Sequence, residues 1–529
     1  MDSKVFVNGK IFTSNSDMPY ASGMVIEDGF IKWIGNDEDI KDKYPNVIDL
    51  KGSRVLPGLI DAHMHPLSLA NVSKGVPCLP PDTNSIEDLI THIKKKRQDQ
   101  GPDKAIIGRG YDEGKLRENR SPNRYDLDKA APDVPVILTR TCGHIDVVNS
   151  KALELAGINK NTPDPFGGQI DRDEDGQPTG ILKETSGGLL RSIRPIQSIE
   201  ESVNNLCDLS EKLLAHGVTA VTEMGAGKGK IDYYDIYNDA RDKGFKQRVV
   251  LYYSWSGIKE NPDFDKKILN KDNPIFVGGI KLMADGSVSG RTAWVDPPYL
   301  GDKEDCGVPT TSREILLQAA EFAKEHNLQI TAHAMGEQAI DLIVDTFYDM
   351  DHWIKDIPTI RVEHAAMPTD QAMRRAGESG IAFVTQPIFQ YCEIESYLKN
   401  LGLERTKTTY PIRSILDKGV KLAFSSDSPA TSWSDPSNPF VGIKAATTRT
   451  SYNGIDCGQD HKIDVPSSII LYTREAQEVC GIPKIGQLAI GYHGDFLVLD
   501  RDILDISPDE IDQINVLETY MGGDLVYKK

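Results

Sequence analysis

Eight short apolar runs, several of them separated by segments of helical spacing, constrain this chain more than any other feature. They are VLPGLIDAHMHP (55–66), GVTAVTEM (217–224), RVVLYYSW (248–255), GGIKLMADGS (278–287), LQITAHAMG (328–336), IRVEHA (360–365), GIAFVTQP (380–387) and VKLAFSSDSP (420–429). Between them, SREILLQAAEFAKEH and EQAIDLIVDTFYDM place apolar residues at intervals of three and four, the spacing of an amphipathic helix. Continuous rather than alternating apolar strands belong to a parallel sheet covered on both faces. Eight such units in βα alternation predict an α/β fold built on a closed (β/α)8, or TIM, barrel.

Such a barrel carries its chemistry at the C-terminal ends of its strands. The first run stops in His63 and His65, and the period of two in a strand puts both imidazoles on one face. Lys281 and Asp285 stand on the fourth run, His333 ends the fifth, His364 the sixth and Asp427 the eighth. Neutral imidazole is the commonest protein ligand for zinc and similar ions, and four histidines at matching strand ends point to a divalent metal. An isolated HxH could be chance; the coincidence of strand ends is what argues against it. The other seven of the 11 histidines fall in helices or loops.

Two regions stand outside the rhythm. Residues 1–56 hold short β-like bursts with hairpin signals at Asn8-Gly9 and Asp28-Gly29, and GDFLVLD (494–500) and VLETYMGGDLVYK (516–528) complement them at the other end. The economical prediction is a small β-sandwich formed by both chain termini, 1–56 with 487–529, flanking a barrel over 57–486. After His65 an excursion runs to about residue 210, with its own helix (SIEDLITHIKKKRQD) and apolar strand (VPVILT); it predicts an inserted α/β subdomain, about 66–210, that caps the barrel mouth. Its run Lys94-Lys95-Lys96-Arg97 reads as a solvated helix face.

The formal charge of −19 argues against nucleic acid or an anionic membrane as partner. Seven scattered cysteines without a CxxC read as reduced thiols. With no signal-peptide core and no membrane-length apolar run, a cytoplasmic protein is expected. It would be a homo-oligomer, in the simplest case a dimer, acting on a small molecule.

The motifs PGLIDAHMH (57–65), IIGRGYDE (106–113), LDKAAPDVPVILTRTCGHIDVVNSKALELAGI (127–158), GQPTGILKE (176–184), GGIKLMADGSVSGRTA (278–293), HAMGEQAID (333–341), RVEHA (361–365), SSDSP (425–429) and GQLAIGYHGDFLVLD (486–500) together resemble those of the amidohydrolase superfamily, specifically the YtcJ-like branch of amidohydrolase family 3. The resemblance covers nearly the whole chain. It implies that His63, His65 and Asp427 hold one divalent ion, zinc being the first expectation, and that His333 and His364 hold a second, giving one or two ions per chain. Lysine ammonium has no lone pair, but a carbamate formed from Lys281 and CO2 would offer two oxygens to bridge both ions; the alternative for Lys281 is an ion pair with Asp285 or Asp427. The implied reaction is hydrolysis of a C–N bond, amide or N-formyl, by a metal-activated hydroxide, with Asp427 as the acid–base group. His144, Arg291, Tyr111 and Glu184 are the expected substrate contacts, though Tyr111 stands where many relatives have tryptophan; the alternatives are a structural loop histidine for His144, a surface-acid pair for Arg291 and a structural carboxylate for Glu184. Rival readings are a deaminase, for which Glu337 shortly after His333 is the suggestive carboxylate, an isomerase, or a scaffold without chemistry; the last would lack ligands. Cys142 lacks an obvious base partner for nucleophilic work.

Overall fold

The computed structural model describes every residue except 1, 2, 41–43, 45, 102, 103, 142–144, 196, 230 and 264. The chain forms two compact units, one of residues 1–67, 206–431 and 436–529, the other of 68–205 with 432–435.

The eight apolar runs of the first unit become eight parallel strands in sequence order: β1 (Leu59–Met64), β2 (Val218–Ala226), β3 (Arg248–Ser254), β4 (Ile275–Met283), β5 (Gln329–Ala334), β6 (Ile360–His364), β7 (Ala382–Thr385) and β8 (Leu422–Phe424). Each pairs with the next, so that Met283 on β4 stands beside His333 on β5, and Ala334 on β5 beside His364 on β6. Beyond the short β8, the Asp427 amide donates to the His63 carbonyl and the His65 amide to the Ser428 carbonyl, both at 2.8 Å. The residues that draw β8 toward β1 are therefore the candidate ligands or their neighbours. Inside, Ile60, Ala62, Ala220, Val250, Tyr252 and Val384 share one apolar cluster, to which helix Arg474–Cys480 adds Ala476, Val479 and Cys480. The fold is the TIM barrel expected from the rhythm of apolar runs.

The termini form two further sheets. One is four-stranded and wholly N-terminal; the other is six-stranded and interleaves Lys10–Phe12, Tyr20–Ala21 and Arg54–Pro57 with Phe496–Leu499, Val516–Met521 and Asp524–Lys528. Phe6, Ile11, Met24, Val55, Phe496 and Tyr520 are buried together between them. Phe496 stacks on Tyr520 with centroids 4.4 Å apart. Asp28-Gly29 and Gly522-Gly523 are two-residue hairpin turns with positive φ at both positions, the mirror-image geometry that suits strand twist. Asn8-Gly9 is a correction: the strands it joins, Lys4–Val7 and Lys10–Phe12, lie in different sheets, so the turn passes the chain between layers instead of closing a hairpin. Arg54 clamps Asp502 with two nitrogens, at 2.6 and 2.8 Å, tying the two ends of the chain.

The second unit has its own six-stranded sheet, in the order Gly168–Arg172, Pro178–Glu184, Ile145–Val148, Val136–Arg140, Ile106–Tyr111, Val76–Pro77. Strand alternation gives it two cores: Val136 and Leu138 pack with helix Ile86–Gln100 on one face, while Ile137 packs with Ala152 and Leu153 on the other. That helix starts at Ser85, whose side chain accepts from the Asp88 amide, an N-cap. In the basic run Lys94 and Lys95 are exposed, and Arg97 pairs with Asp133. No helix among the described residues is long and apolar enough to cross a membrane.

Candidate metal centre

His63, His65 and Asp427 offer one ligand atom each within 4.8 Å of one another. Which nitrogen each imidazole presents follows from what its other nitrogen does. His65 Nδ1 lies 2.7 Å from the Met224 carbonyl, an acceptor only, so Nδ1 carries the proton and Nε2 a lone pair. His63 Nδ1 lies 2.6 Å from Glu363 Oε2, which leaves its Nε2 free in the same way. Both Nε2 atoms face Asp427 Oδ1, at 3.4 Å from His63 and 3.2 Å from His65. Three lone-pair atoms converge in a buried site, and Asp427 Oδ1 has no hydrogen-bond donor among the described residues. Such a cluster needs a proton or a cation at its centre, and the donor set of two imidazoles and a carboxylate fits a zinc-like ion.

Electrostatics keep most of the imidazoles in the ligating form. Burial, reinforced by the Lys281 charge, holds His63 well below its ordinary pKa; burial does the same to His333 and His364, helped by His364 and His63 respectively. His65 differs. Burial opposes its protonation, but the Asp427 carboxylate outweighs burial and raises its pKa. Asp427 is itself lowered, because His63 and His65 overcome the cost of burying it.

The second pair is oriented by neutral partners. His364 Nδ1 is 2.9 Å from Gln386 Oε1, and Gln386 in turn donates to Ser425 Oγ at 2.8 Å, so His364 presents Nε2. His333 Nε2 is 2.9 Å from the Gly286 carbonyl, so His333 presents Nδ1 instead. The two rings are 4.3 Å apart by centroid, and His364 is 4.8 Å from His63. Lys281 Nζ is buried with no hydrogen-bond partner among the described residues, and burial brings the amine down to about 8. Of the acids weighed as its partner, Asp285 is taken up by the amides of Met335, Gly336 and Trp294, at 2.8 to 3.0 Å; Asp427 acts on Lys281 only through its charge.

Several groups that hold the ligands have no ligand-like pattern in the sequence. Glu363 supports His63. Glu223 accepts from the Leu67 amide at 3.0 Å and from Tyr237 Oη, and stands 3.9 Å from His65 Nδ1. Asp61 accepts from the amides of His63 and Ser426 at 3.2 and 3.1 Å, and burial raises its pKa to about 7. Backbone geometry is unusual at the ligands too: φ is +71° at His364, +44° at Ala365 and +51° at Asp427. Strand alternation alone would point His364 away from the face of Glu363; the left-handed turn at the strand end re-aims it, at a local conformational cost typical of functional sites.

The expected substrate contacts fare differently. Arg291 has φ +55° and directs Nε to Asp305 at 2.9 Å and an NH group to the Leu300 carbonyl at 3.2 Å, the surface-acid pairing. Tyr111 is buried in the second unit's apolar cluster with Ile86, Leu89 and Leu138, and Glu184 is an exposed strand end of that unit with φ +53°. His144 and Cys142 lie outside the described residues. Glu337 spends both carboxylate oxygens on Arg405, at 2.8 and 3.0 Å.

Comparison with known proteins places this geometry. A family model described as "Amidohydrolase family" matches residues 46–527. The chain is 29% identical over 550 residues to a Bacillus subtilis (strain 168) protein named "Putative amidohydrolase YtcJ", covering 99% of each. It is 26% identical to the N-substituted formamide deformylase of Arthrobacter pascens, covering 100% of this chain and 99% of that one. Among solved structures, an uncharacterized metal-dependent hydrolase from Pyrococcus horikoshii OT3 superposes with a TM-score of 0.75 at 28% identity, over 96% of this chain and 99% of that one.

Proposed function

Because the chain belongs to the amidohydrolase family, we propose that it is a metal-dependent hydrolase of a C–N bond, amide or N-formyl, in a small molecule. The observation that carries this reading is the convergence of two Nε2 lone pairs on Asp427 Oδ1. His63, His65 and Asp427 would hold the first ion, zinc by preference, and His333 Nδ1 with His364 Nε2 the second. A divalent ion there supplies Lewis acidity, polarising a carbonyl and acidifying water.

The chain's own residues do the rest. Asp427 accepts a proton from the attacking water and returns it to the leaving nitrogen, as a general base and then a general acid. Lys281 is the proposed bridge: its neutral amine adds to CO2, forming an N–C bond and releasing a proton, and the carbamate gains the oxygens that an amine lacks. Its partnerless burial supports this, since an unmodified ammonium would repel cations on both sides. The inserted unit leaves the chain directly after the ligand-bearing end of β1, and loops at that end of a barrel carry specificity. It is therefore proposed to set specificity, with His144 as a substrate contact. Deamination would need a carboxylate free to move protons beside His333, and Glu337 is committed to Arg405.

The test is a screen of metal-loaded protein against a library of N-acyl and N-formyl amines, starting with N-substituted formamides because one relative is named for them. Turnover that releases an amine and a carboxylic acid, lost on chelation and restored by metal, is the expected result. Release of ammonia from aminated heterocycles, with no amide cleaved, would contradict it.

A further inference from the structure

The two ligand groups differ in what stands behind the imidazoles. Behind His63 is a carboxylate, Glu363 Oε2 at 2.6 Å; behind His364 is the neutral amide of Gln386. Glu363 is fully buried and held in place by the barrel itself. Its Oε1 accepts from Arg361 Nε at 2.9 Å and from the Thr331 hydroxyl. Arg361, also fully buried, donates onward to Tyr252 Oη and to the Ala62 carbonyl, each at 2.7 Å. Tyr252 bonds Gln329 at 2.7 Å, and Gln329 donates at 3.0 Å to the carbonyl of Val479, in the helix that adds to the barrel core. A continuous polar chain thus runs from that helix to His63. Arg361 reaches both oxygens of Glu363, Oε1 at 2.9 Å and, through a second nitrogen, Oε2 at 3.3 Å, and the shortest contact of Oε2 is the one with the His63 imidazole at 2.6 Å.

We propose that Glu363 is a positioning residue for metal binding: it locks His63 as an Nε2 ligand and lends it negative charge, making the His63/His65/Asp427 site the tighter of two unequal sites. A carboxylate behind a ligating imidazole fixes its tautomer and raises its basicity, and losing such a partner typically costs about 10–100-fold in metal affinity. The inference rests on the reading that this centre holds metal.

The experiment is a titration of metal-free full-length protein with Zn(II) against a chromophoric chelator, for wild type, Glu363→Gln and the double variant Arg361→Met/Glu363→Gln. The expected result is two binding steps in wild type, with the tighter one weakened about 10–100-fold in Glu363→Gln and the weaker one little changed. Glu363→Gln also strips Arg361 of its counter-charge and could act merely by unsettling the fold. The double variant removes both charges, so a positioning role leaves the tight step weakened there too, in a protein whose circular dichroism and melting match wild type. Wild-type affinity in folded Glu363→Gln, or its recovery in the double variant, overturns the inference alone. Absence of any binding by wild type overturns the metal reading and this inference with it.

Discussion

In the terminal sandwich, buried and half-buried charges are matched: Arg54 grips Asp502 with two nitrogens, and Arg248 pairs with Asp495 where the sandwich meets β3. At the barrel mouth they are not. Lys281 Nζ and Asp427 Oδ1 are buried without hydrogen-bond partners among the described residues, and three imidazoles are held neutral with a nitrogen lone pair available. One chain therefore treats the same residue types in two ways. Leaving a buried polar group unmatched costs free energy, and here an amine and a carboxylate oxygen are left so beside three imidazoles that offer lone pairs. The unmatched groups mark where an external partner completes the site. Function and stability should accordingly separate on substitution.

The largest effect is expected at the first ligand group. Asp427→Ala should abolish tight metal binding and reduce kcat/KM by more than the roughly 100-fold typical of an outer partner, while the melting temperature of metal-free protein stays the same or rises. A variant that binds metal normally would break the comparison. Lys281→Met comes next. It should lose the second ion and most activity but keep the first, and stabilise the metal-free protein by about 1–3 kcal/mol, because an unpartnered amine is replaced by an apolar chain of similar length. Denaturant melts of the two apoproteins check the sign; for Lys281→Ala, partial rescue of activity by a small carboxylic acid would sharpen the carbamate assignment.

The sandwich should behave in the opposite way. Asp502→Asn is expected to lower stability by about 1–3 kcal/mol at pH 7 with metal content unchanged. Burial favours the protonated form of Asp502, but its bonds from Arg54 and Lys10 prevail and hold the pKa at about 2, below the ordinary 3.8. A carboxyl depressed in the folded state stabilises fully above its unfolded value and loses that contribution as pH falls through the folded one. The gap between wild type and variant should thus close between about pH 4 and pH 2, as followed by chemical denaturation across that window. The smallest effect concerns the inserted unit: His144→Ala should change kcat/KM or substrate preference by about tenfold or less, a loss of one uncharged contact, and leave metal content intact. Identical kinetics on a good substrate would remove His144 from the site.

The barrel was legible because strands buried on both faces write themselves as unbroken apolar runs. His63 and His65 were legible because a spacing of two fixes a shared face. The sandwich from both termini was legible from complementary β-bursts, yet the Asn8-Gly9 turn was not, since a dipeptide specifies a tight reversal without saying which sheet receives the next strand. Glu363 was hidden by the rule that revealed the histidines: adjacent to His364, it belongs to the opposite strand face, and only the left-handed backbone at His364 brings both to one centre. Arg291 shows where a local pattern leaves two readings open. Its motif allowed a substrate contact or a surface-acid pair, and its partner Asp305, 14 residues on, is set by loop closure that no local pattern encodes.

The central claim is that the unmatched groups at the barrel mouth form a divalent-metal centre. Its most direct test is the metal content, by elemental analysis, of wild type, Lys281→Met and a His63→Ala/Asp427→Ala double variant, each purified without chelator. Up to two ions per chain are expected in wild type, one in Lys281→Met and no tightly bound ion in the double variant. A wild-type protein free of metal and unable to take it up, or a double variant that retains the wild-type content, would contradict it.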